Sequence, residues 1–406
     1  MHAFLERHRF LLAFVLLSSL AGLSVGVAKV ATSLYALHLA ASDFELSLIA
    51  GAQSIGILVM GMPIGVLVDQ LGPLRLFAFG SVSAGLLYLV TPWLPVPLLL
   101  ALTAVLVSFC MPCRFVSLNA VFMQQLDKVG VAKAGWFRGT HMIGFFLLGP
   151  ALAASLIGAV DYVGTYTLVG LLFFATAALA PQVMRHYTPA AGAVLSVAAV
   201  LDQFTLLRRD RELAGISLIE FASQAANQYY GFFIVVIALR QFGFSAGAAA
   251  SLVTLQGSLF VFALFTLGAL LQRTGEYRFY QASFALIAAA LAMLGLGHTA
   301  VWLWLGAAVL GLGLGMLQTV NISRFARASA RLGRGRVAGI NAFAGPAGGL
   351  AGCVLGGWSG QVFGLQSAFV LLSPVFLLFG CRMWRQARRA PAPAVSLPDL
   401  QGVHDE

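Results

Sequence analysis

Long apolar runs, each ended by a short polar connection, follow one another along almost the whole chain. A membrane-spanning helix needs about 20 predominantly apolar residues, and the runs predict spans at residues 10–37, 46–68, 75–93, 96–122, 136–158, 162–184, 213–239, 246–271, 278–297, 300–323, 337–358 and 366–384. The longest hydrophilic interruption falls between the sixth and seventh spans. It holds Pro189 and the cluster Arg208-Arg209-Asp210-Arg211-Glu212. The fold class that follows is an all-α membrane protein of twelve transmembrane helices in two pseudo-symmetric six-helix bundles. The bundles are expected at residues 1–190 and 213–386, joined by a linker at 191–212. Residues 387–406, with Pro391, Pro393 and Pro398, are expected to form a disordered tail.

The polar connections repeat as well. Gly65-Val66-Leu67-Val68-Asp69-Gln70-Leu71-Gly72-Pro73-Leu74-Arg75 recurs in outline as Gly268-Ala269-Leu270-Leu271-Gln272-Arg273-Thr274-Gly275-Glu276-Tyr277-Arg278. Both read G-x-L-x-x-x-x-G-x-x-R, and their starts lie 203 residues apart, half of the 406-residue chain. Two related halves in tandem are implied, and a duplicated hydrophobic chain is a common plan for a transporter.

Composition sharpens this picture. Hydrophobic residues make up 60% of the chain and charged residues 9%, with a mean hydropathy of +0.91, whereas soluble domains carry about 25% charged residues. Lys and Arg gather in alternate connections, as the positive-inside rule requires when both termini are cytoplasmic. The inner segments hold Arg75, then Lys128, Lys133 and Arg138, then Arg185, Arg208, Arg209 and Arg211, then Arg273 and Arg278, then Arg324 to Arg336, and the tails add Arg7, Arg9, Arg382, Arg385, Arg388 and Arg389. Of 24 basic residues, only Lys29, Arg114 and Arg240 fall elsewhere, and Arg240 alone is assigned to an outer loop. Outer loops carry Asp43, Glu45 and Asp161. The net charge of +10 is therefore a topology signal with some attraction to anionic lipid, and it gives no case for nucleic acid. Arg7 and Arg9 before an apolar stretch resemble a secretory leader, but removing that segment would leave an odd number of spans.

These features together resemble the major facilitator superfamily. The resemblance rests on G-x-L-x-D-x-x-G-x-x-R between the second and third spans, its weaker copy between the eighth and ninth, and twelve spans with a central linker. It covers about residues 8–385. It implies a membrane transporter, with the first copy gating the cytoplasmic side. Asp69 and Arg75 would then belong to a latch between the bundles, with Gly65, Gly72, Gly268, Gly275 and Arg278 as the remaining gating positions. On physical grounds Gly65 permits close helix approach and Gly72 a tight turn. Asp69 is placed to accept from Arg75 or from backbone donors, and Gln272 at the corresponding site predicts a weaker lock in the second half. Gly144-x4-Gly149-Pro150 in the fifth span, loosely echoed by Gly345-Pro346-x-Gly348-Gly349 in the eleventh, resembles the pattern of the family's antiporters and hints at export. Asn341, Gly345, Gly348, Gly352 and Gly356 follow helical spacing and read as a packing stripe.

Substrate-handling residues are sought among polar groups that are costly inside a membrane. Gly22, Gly26, Lys29 and Ser33 share one face of the first span. Arg114 lies well inside the fourth. In the seventh, Glu220, Gln224 and Asn227 form a stripe followed by Tyr229 and Tyr230, and the tenth contributes Gln318, Asn321 and Arg324. Gln53, His141, Gln256 and His38 are weaker candidates. The pathway set is thus Lys29, Arg114, Glu220, Gln224, Asn227, Tyr230 and Asn321. Glu220 is the sole carboxylate predicted within a span and is the expected proton carrier, with Arg114 as a neighbour opposing its desolvation. Lys29 and Arg114 against Glu220 leave the cavity at +1, or +2 when Glu220 is protonated, which favours anionic or zwitterionic cargo. Tyr35, Tyr229, Tyr230, Phe232 and Phe233 are expected to line it.

Chemistry of other kinds finds no support. All four cysteines fall in predicted spans, and the Cys110-x-x-Cys113 pair lacks a second ligand pair, so packing beside a bend at Pro112 is its reading. No catalytic constellation, phosphate loop or cofactor motif is present, and neither enzyme activity nor a bound metal or cofactor is expected. The function expected is secondary transport of a small organic solute by alternating access, coupled to protons, with efflux of a metabolite or antimicrobial as the favoured direction. Import of a small organic anion or metal chelate is the alternative, and a receptor or scaffold that kept the fold is the alternative of another class. The partners are then the solute, protons and the lipid bilayer of the plasma membrane, with the monomer as the working unit.

Overall fold

The computed structural model describes residues 2–61, 63–129, 135–185, 187, 205–332 and 334–389. Much of the linker expected at 191–212, the part of the expected tail beyond Arg389, and the side chains of Lys128, Lys133, Arg138 and Arg336 lie outside the described residues, while residues 387–389 of that tail end the last helix. The first half consists of α1 (His2–His38), α2 (Asp43–Met60), α3 (Ile64–Leu71), α4 (Pro73–Val90), α5 (Pro97–Val129), α6 (Gly135–Met142), a π-helical turn (Ile143–Leu148) and α7 (Gly149–Met184). In the second half come α8 (Arg211–Phe242), α9 (Ala246–Thr266), α10 (Gly268–Thr274), α11 (Glu276–Leu296), α12 (Ala300–Leu332), α13 (Arg334–Phe363) and α14 (Ser367–Arg389). No strand occurs among the described residues.

Among the described residues, nine stretches are long and apolar enough to cross a membrane. One of them, Gly139–Met184, runs for 46 residues, about twice what a bilayer core of ~30 Å accommodates at 1.5 Å per residue. Asp161, with φ 59° and ψ −176°, breaks it into two crossings. The polar stripe of α8 lowers that helix's hydropathy, and α13 is rich in glycine. Together they bring the number of crossings to twelve. An even number puts both ends of the chain on one side, here termed the terminal face.

Local chemistry fixes the helix ends. Ser42 and Glu45 form a reciprocal capping box at the start of α2, and Asp210 caps α8 by accepting from the Leu213 amide at 2.8 Å. Two predicted spans differ from expectation. The second is not continuous over 46–68: Pro63 stands at the start of α3, and its missing amide hydrogen favours a break there. The eighth is broken likewise at Leu267, φ −88° and ψ 2°.

The duplicated turns follow at once. Gly72 adopts φ 82°, ψ 145° and Gly275 adopts φ 79°, ψ 155°, a conformation open almost solely to glycine. Each donates its backbone amide to the residue four back, Val68 or Leu271. The repeat is therefore one of backbone geometry as well as sequence. Close approach at Gly65 is not seen, because a Cβ there, or at Gly268, would meet no atom within 4 Å.

The stripe on α13 does permit close packing. A Cβ at Gly348 or Gly352 would run into the backbone of Phe221 or Ala225 on α8, and one at Gly356 would strike the Tyr229 ring. Asn341, at the head of the same series, is exposed. On its other side α13 lies against α2, with Gly349 beside Ser54 and Gly357 beside Ser47, so one helix joins the halves.

Alanine at Gly72 or Gly275 is expected to cost about 1–3 kcal/mol each through the positive φ. Gly65→Ala and Gly268→Ala should change stability by no more than about 0.5 kcal/mol. Thermal unfolding in detergent separates the two pairs, and equal shifts would rule out a special role for the turns.

Candidate functional site

The halves meet in the membrane interior where α1 passes α8. Lys29 of α1 donates from Nζ to Gln228 Oε1 of α8 at 3.0 Å. The ammonium lies 5.6 Å from the centre of the Phe145 ring, which stands in the π-helical turn. Pro150 lacks the amide hydrogen that a regular helix would send back to Phe146, which accounts for a wide turn at this place. α8 comes so near Lys29 because residue 231 is glycine: a Cβ there would sit 2.9 Å from Nζ.

Two cavities flank Lys29. The larger, about 160 Å³, is lined by Gln53, Tyr88, Met111, Phe145 and Gln228 among others. The smaller, about 10 Å³, includes Asn227 and Gly231. The expected aromatic lining is absent from both. Tyr35, Tyr229, Tyr230, Phe232 and Phe233 are buried in the core, and Tyr230 is committed to the Leu252 carbonyl at 2.8 Å. Phe145 and Tyr88 take their place. Gln228 was legible as a continuation of the α8 stripe, but its partnership with Lys29, 199 residues away, carries no local signal.

Glu220 lies elsewhere. It is 4% exposed and accepts from Gln224 Nε2 at 3.0 Å and from Asn321 Nδ2 at 2.9 Å. Asn321 Oδ1 in turn accepts from the Tyr280 hydroxyl at 2.8 Å. Arg324 stands over the Tyr280 ring, 5.5 Å from its centre. This file of polar groups runs within the second half from Glu220 toward the terminal face. Asn227 takes no part in it and accepts from Gln256 Nε2 at 3.3 Å.

Arg114 is not the neighbour of Glu220. It is buried in the first half, donating to Ser81 at 3.0 Å, Thr176 at 3.1 Å and Ser24 at 3.2 Å, with its guanidinium 4.0 Å from the Phe173 ring centre. Neither Arg114 nor Lys29 belongs to an ion pair among the described residues. Their polar contacts are to hydroxyls, an amide and aromatic faces.

Comparison with known proteins identifies the architecture. The model of the Major Facilitator Superfamily matches residues 14–236 and 216–399. The chain belongs to the major facilitator superfamily. Its fold is similar to that of nucleoside transporter NupG, with a TM-score of 0.77 for a point mutant at 14% identity and 0.74 for another structure of that transporter at 15%. Both matches cover 93% of this chain and 99% of the other. A bacterial homologue of the human lysosomal transporter Spinster, described as inward-facing and unoccupied, gives 0.67 at 16% identity, covering 95% and 97%. Identities this low speak for the fold alone. A comparison with curated proteins finds no match. As a member of this superfamily the chain is a multi-pass membrane transporter and not an enzyme.

The superfamily's loop motif makes contacts other than those its residues suggested. Asp69 accepts from the Tyr187 hydroxyl at 2.6 Å, while Arg75 is exposed and in no ion pair among the described residues. Burial and the Asp69 carboxylate push the Tyr187 hydroxyl up to about 12, so it remains a donor. The second half, expected to have the weaker lock, carries the richer network. Glu276, one residue beyond Gly275, pairs with Arg327 at 2.5 Å and Arg324 at 3.7 Å. Glu212 and Asp210 pair with Arg331 at 3.2 and 2.8 Å. Gln272 and Arg278 are exposed and stand outside these pairs.

All these contacts stay within one half. Among the described residues, the ion pair between halves lies at the opposite face, where Arg240 Nη1 meets Asp43 at 2.7 Å and Nη2 donates to the Ala41 carbonyl at 2.6 Å. Arg240 is the cation that stood out against the charge rule.

Asn321→Ala is expected to cost about 1–3 kcal/mol, because it strands a buried Glu220 oxygen and the Tyr280 hydroxyl. Asn227→Ala, at a longer bond, should cost less than half as much in detergent unfolding, and equal losses would deny the file any special weight. Arg240→Ala should raise alkylation of Thr103→Cys by an impermeant maleimide, in a Cys381→Ser background, roughly two- to fivefold. The swap of Asp43→Arg with Arg240→Asp should restore the slow rate, and an unchanged rate in Arg240→Ala would show that the pair closes nothing.

Proposed function

We propose that the chain is a proton-coupled secondary transporter of a small organic solute, working by alternating access of a site between its two bundles. Glu220 carries the reading. A carboxylate inside a membrane protein is expensive and marks function by default, and this one is held by two side-chain amides with no cation paired to it among the described residues. An amide both donates and accepts. The surroundings therefore suit the ionised carboxylate, which accepts from Asn321 and Gln224, and equally the protonated acid after an amide reorients. The polar file through Asn321, Tyr280 and Arg324 links that carboxyl to the ion pairs of the terminal face.

That face is cytoplasmic in this reading, because Arg and Lys gather there, and the protein works as a monomer in the plasma membrane. Export by antiport is the favoured direction. It draws support from Gly149-Pro150 and the wide turn they produce beside Lys29, at the place where antiporters of the superfamily carry a related pattern. Import of a small organic anion uses the same parts, and the test reads both directions.

Purified protein in liposomes, given an imposed pH gradient and a panel of charge-matched organic solutes, is expected to move at least one against its own gradient. Glu220→Gln should abolish proton-driven accumulation while solute exchange persists. Proton dependence that survives this substitution would remove Glu220 from the coupling role.

A further inference from the structure

We infer that the cargo is a small organic monocarboxylate, and that its carboxylate takes the Lys29 ammonium from Gln228, the contact that bridges the two halves. This deepens the proposed function and rests on the transport reading given there.

The ammonium is the positive centre of the cavity and is under-used. It has three N–H donors, and among the described residues it makes one hydrogen bond, to Gln228 Oε1 at 3.0 Å. No Asp or Glu lines either cavity beside it. Arg114 donates within the first half to Ser81, Thr176 and Ser24 and lines neither cavity, and Glu220 faces the amides of Gln224 and Asn321. One uncompensated cation therefore meets the cavity, and one negative charge matches it.

A second donor points the same way. Gln53 lines the 160 Å³ cavity, and its Nε2 is buried without a hydrogen-bond partner, a costly state that a ligand oxygen would relieve. Four of the six cavity hydroxyls do not compete for that role. Thr32, Thr91, Thr103 and Ser108 each donate to a carbonyl of their own helix. Lys29 and Gln53, with the hydroxyls of Ser54 and Tyr88 that also line the cavity, supply donors enough for the two oxygens of one carboxylate.

The remaining wall is apolar, with Ile57, Leu100, Val107, Met111 and Phe145. Its volume is near that of an engineered apolar cavity of about 150 Å³ that takes benzene. A ring-sized or short branched body on one carboxylate fits this combination. A dianion would leave a charge unmatched, and a cation would meet Lys29.

Binding then acts on the bridge. A carboxylate accepts more strongly from an ammonium than a neutral amide does, so the anion displaces Gln228. Lys29, Gln53 and most of the cavity belong to the first half, while Gln228 sits on α8 of the second. The occupied site therefore stays with one bundle and frees the other from its central polar contact.

The probe is benzoate, with benzamide and benzylamine as neutral and cationic counterparts, titrated against the purified full-length protein by calorimetry. Benzoate is expected to bind and the other two to fail. Lys29→Met should weaken benzoate by about tenfold or more and Gln53→Leu by about threefold, as lost charge-assisted and neutral bonds would. Gln228→Leu should leave binding intact or tighten it, because the competitor is gone. A role in mere packing would not give that opposite sign, and this variant also keeps the test valid if Lys29→Met does not fold. No benzoate binding, binding of benzylamine, or weakening by Gln228→Leu would overturn the inference. If benzoate binds through Lys29 but never crosses liposomes, the transport reading fails and the site stands. If a neutral solute is transported with coupling through Glu220 and Lys29→Met is silent, the site fails and transport stands.

Discussion

A charge buried in a membrane bundle has to be answered by something, and the response to Lys29, Arg114 and Glu220 organises this molecule. None of the three is paired with an opposite charge among the described residues. Arg114 receives hydroxyls from three helices and an aromatic face, which fixes α1, α4, α5 and α7 around one guanidinium. Glu220 receives two amides and becomes the inner end of a polar file. Lys29 is left with one amide from the other half and a cavity. A guanidinium has five donors in a rigid fork and suits a fixed knot of hydroxyls, whereas an ammonium on a flexible stem can change partners. The same costly event, burial of a cation, thus yields a permanent junction in one place and an exchangeable contact in another.

Glycine decides where such contacts are possible. Without a side chain at position 231, α8 reaches the Lys29 ammonium. α13 lies against the backbone of α8 on one side and against α2 on the other through the same economy of atoms. These surfaces are apolar and carry few directional bonds. Where glycine does not pack, at Gly72 and Gly275, it supplies a backbone conformation that other residues enter only with strain. Loss of close approach at Gly65 shows that a motif glycine need not pack to recur.

Much of the architecture was legible because membrane spans announce themselves by length and apolarity, and because charge sorted the connections. Many span limits came within about five residues of the helix ends, but Pro63 and Leu267 split two spans, α1 begins at His2 where residue 10 was expected, and α5 and α12 run on to Val129 and Leu332 past the expected 122 and 323. The stripe Glu220, Gln224 and the distant Asn321 was visible as polar residues in apolar helices, although their convergence was not. Partners across the fold stayed hidden for a plain reason: Tyr187 lies 118 residues from Asp69 and Gln228 lies 199 from Lys29, and no periodicity encodes such pairs. Arg114 and Glu220 were matched by charge, but hydroxyls satisfied Arg114 first. Arg240 was readable only as an exception to the charge rule, and the exception proved to be an ion pair between the halves.

The polar contacts across the halves differ in kind from the rest of the interface. Lys29 with Gln228 lies in the interior, and Arg240 with Asp43 and Ala41 lies at the opposite face. Between them runs the glycine-lined seat of α13 on α2, which has little directional bonding to break when one bundle tilts against the other. A net hydrogen bond is worth about 0.5–1.5 kcal/mol, and an exposed ion pair about 0–1 kcal/mol. The polar ties thus hold the halves by a few kcal/mol, which is the scale of a conformational equilibrium whose minor state stays populated. Among the described residues, the seam thus combines a glycine-lined seat with two weak polar ties of known position, and both ties, at Lys29 and Arg240, lie away from the loop motif by which the superfamily is recognised.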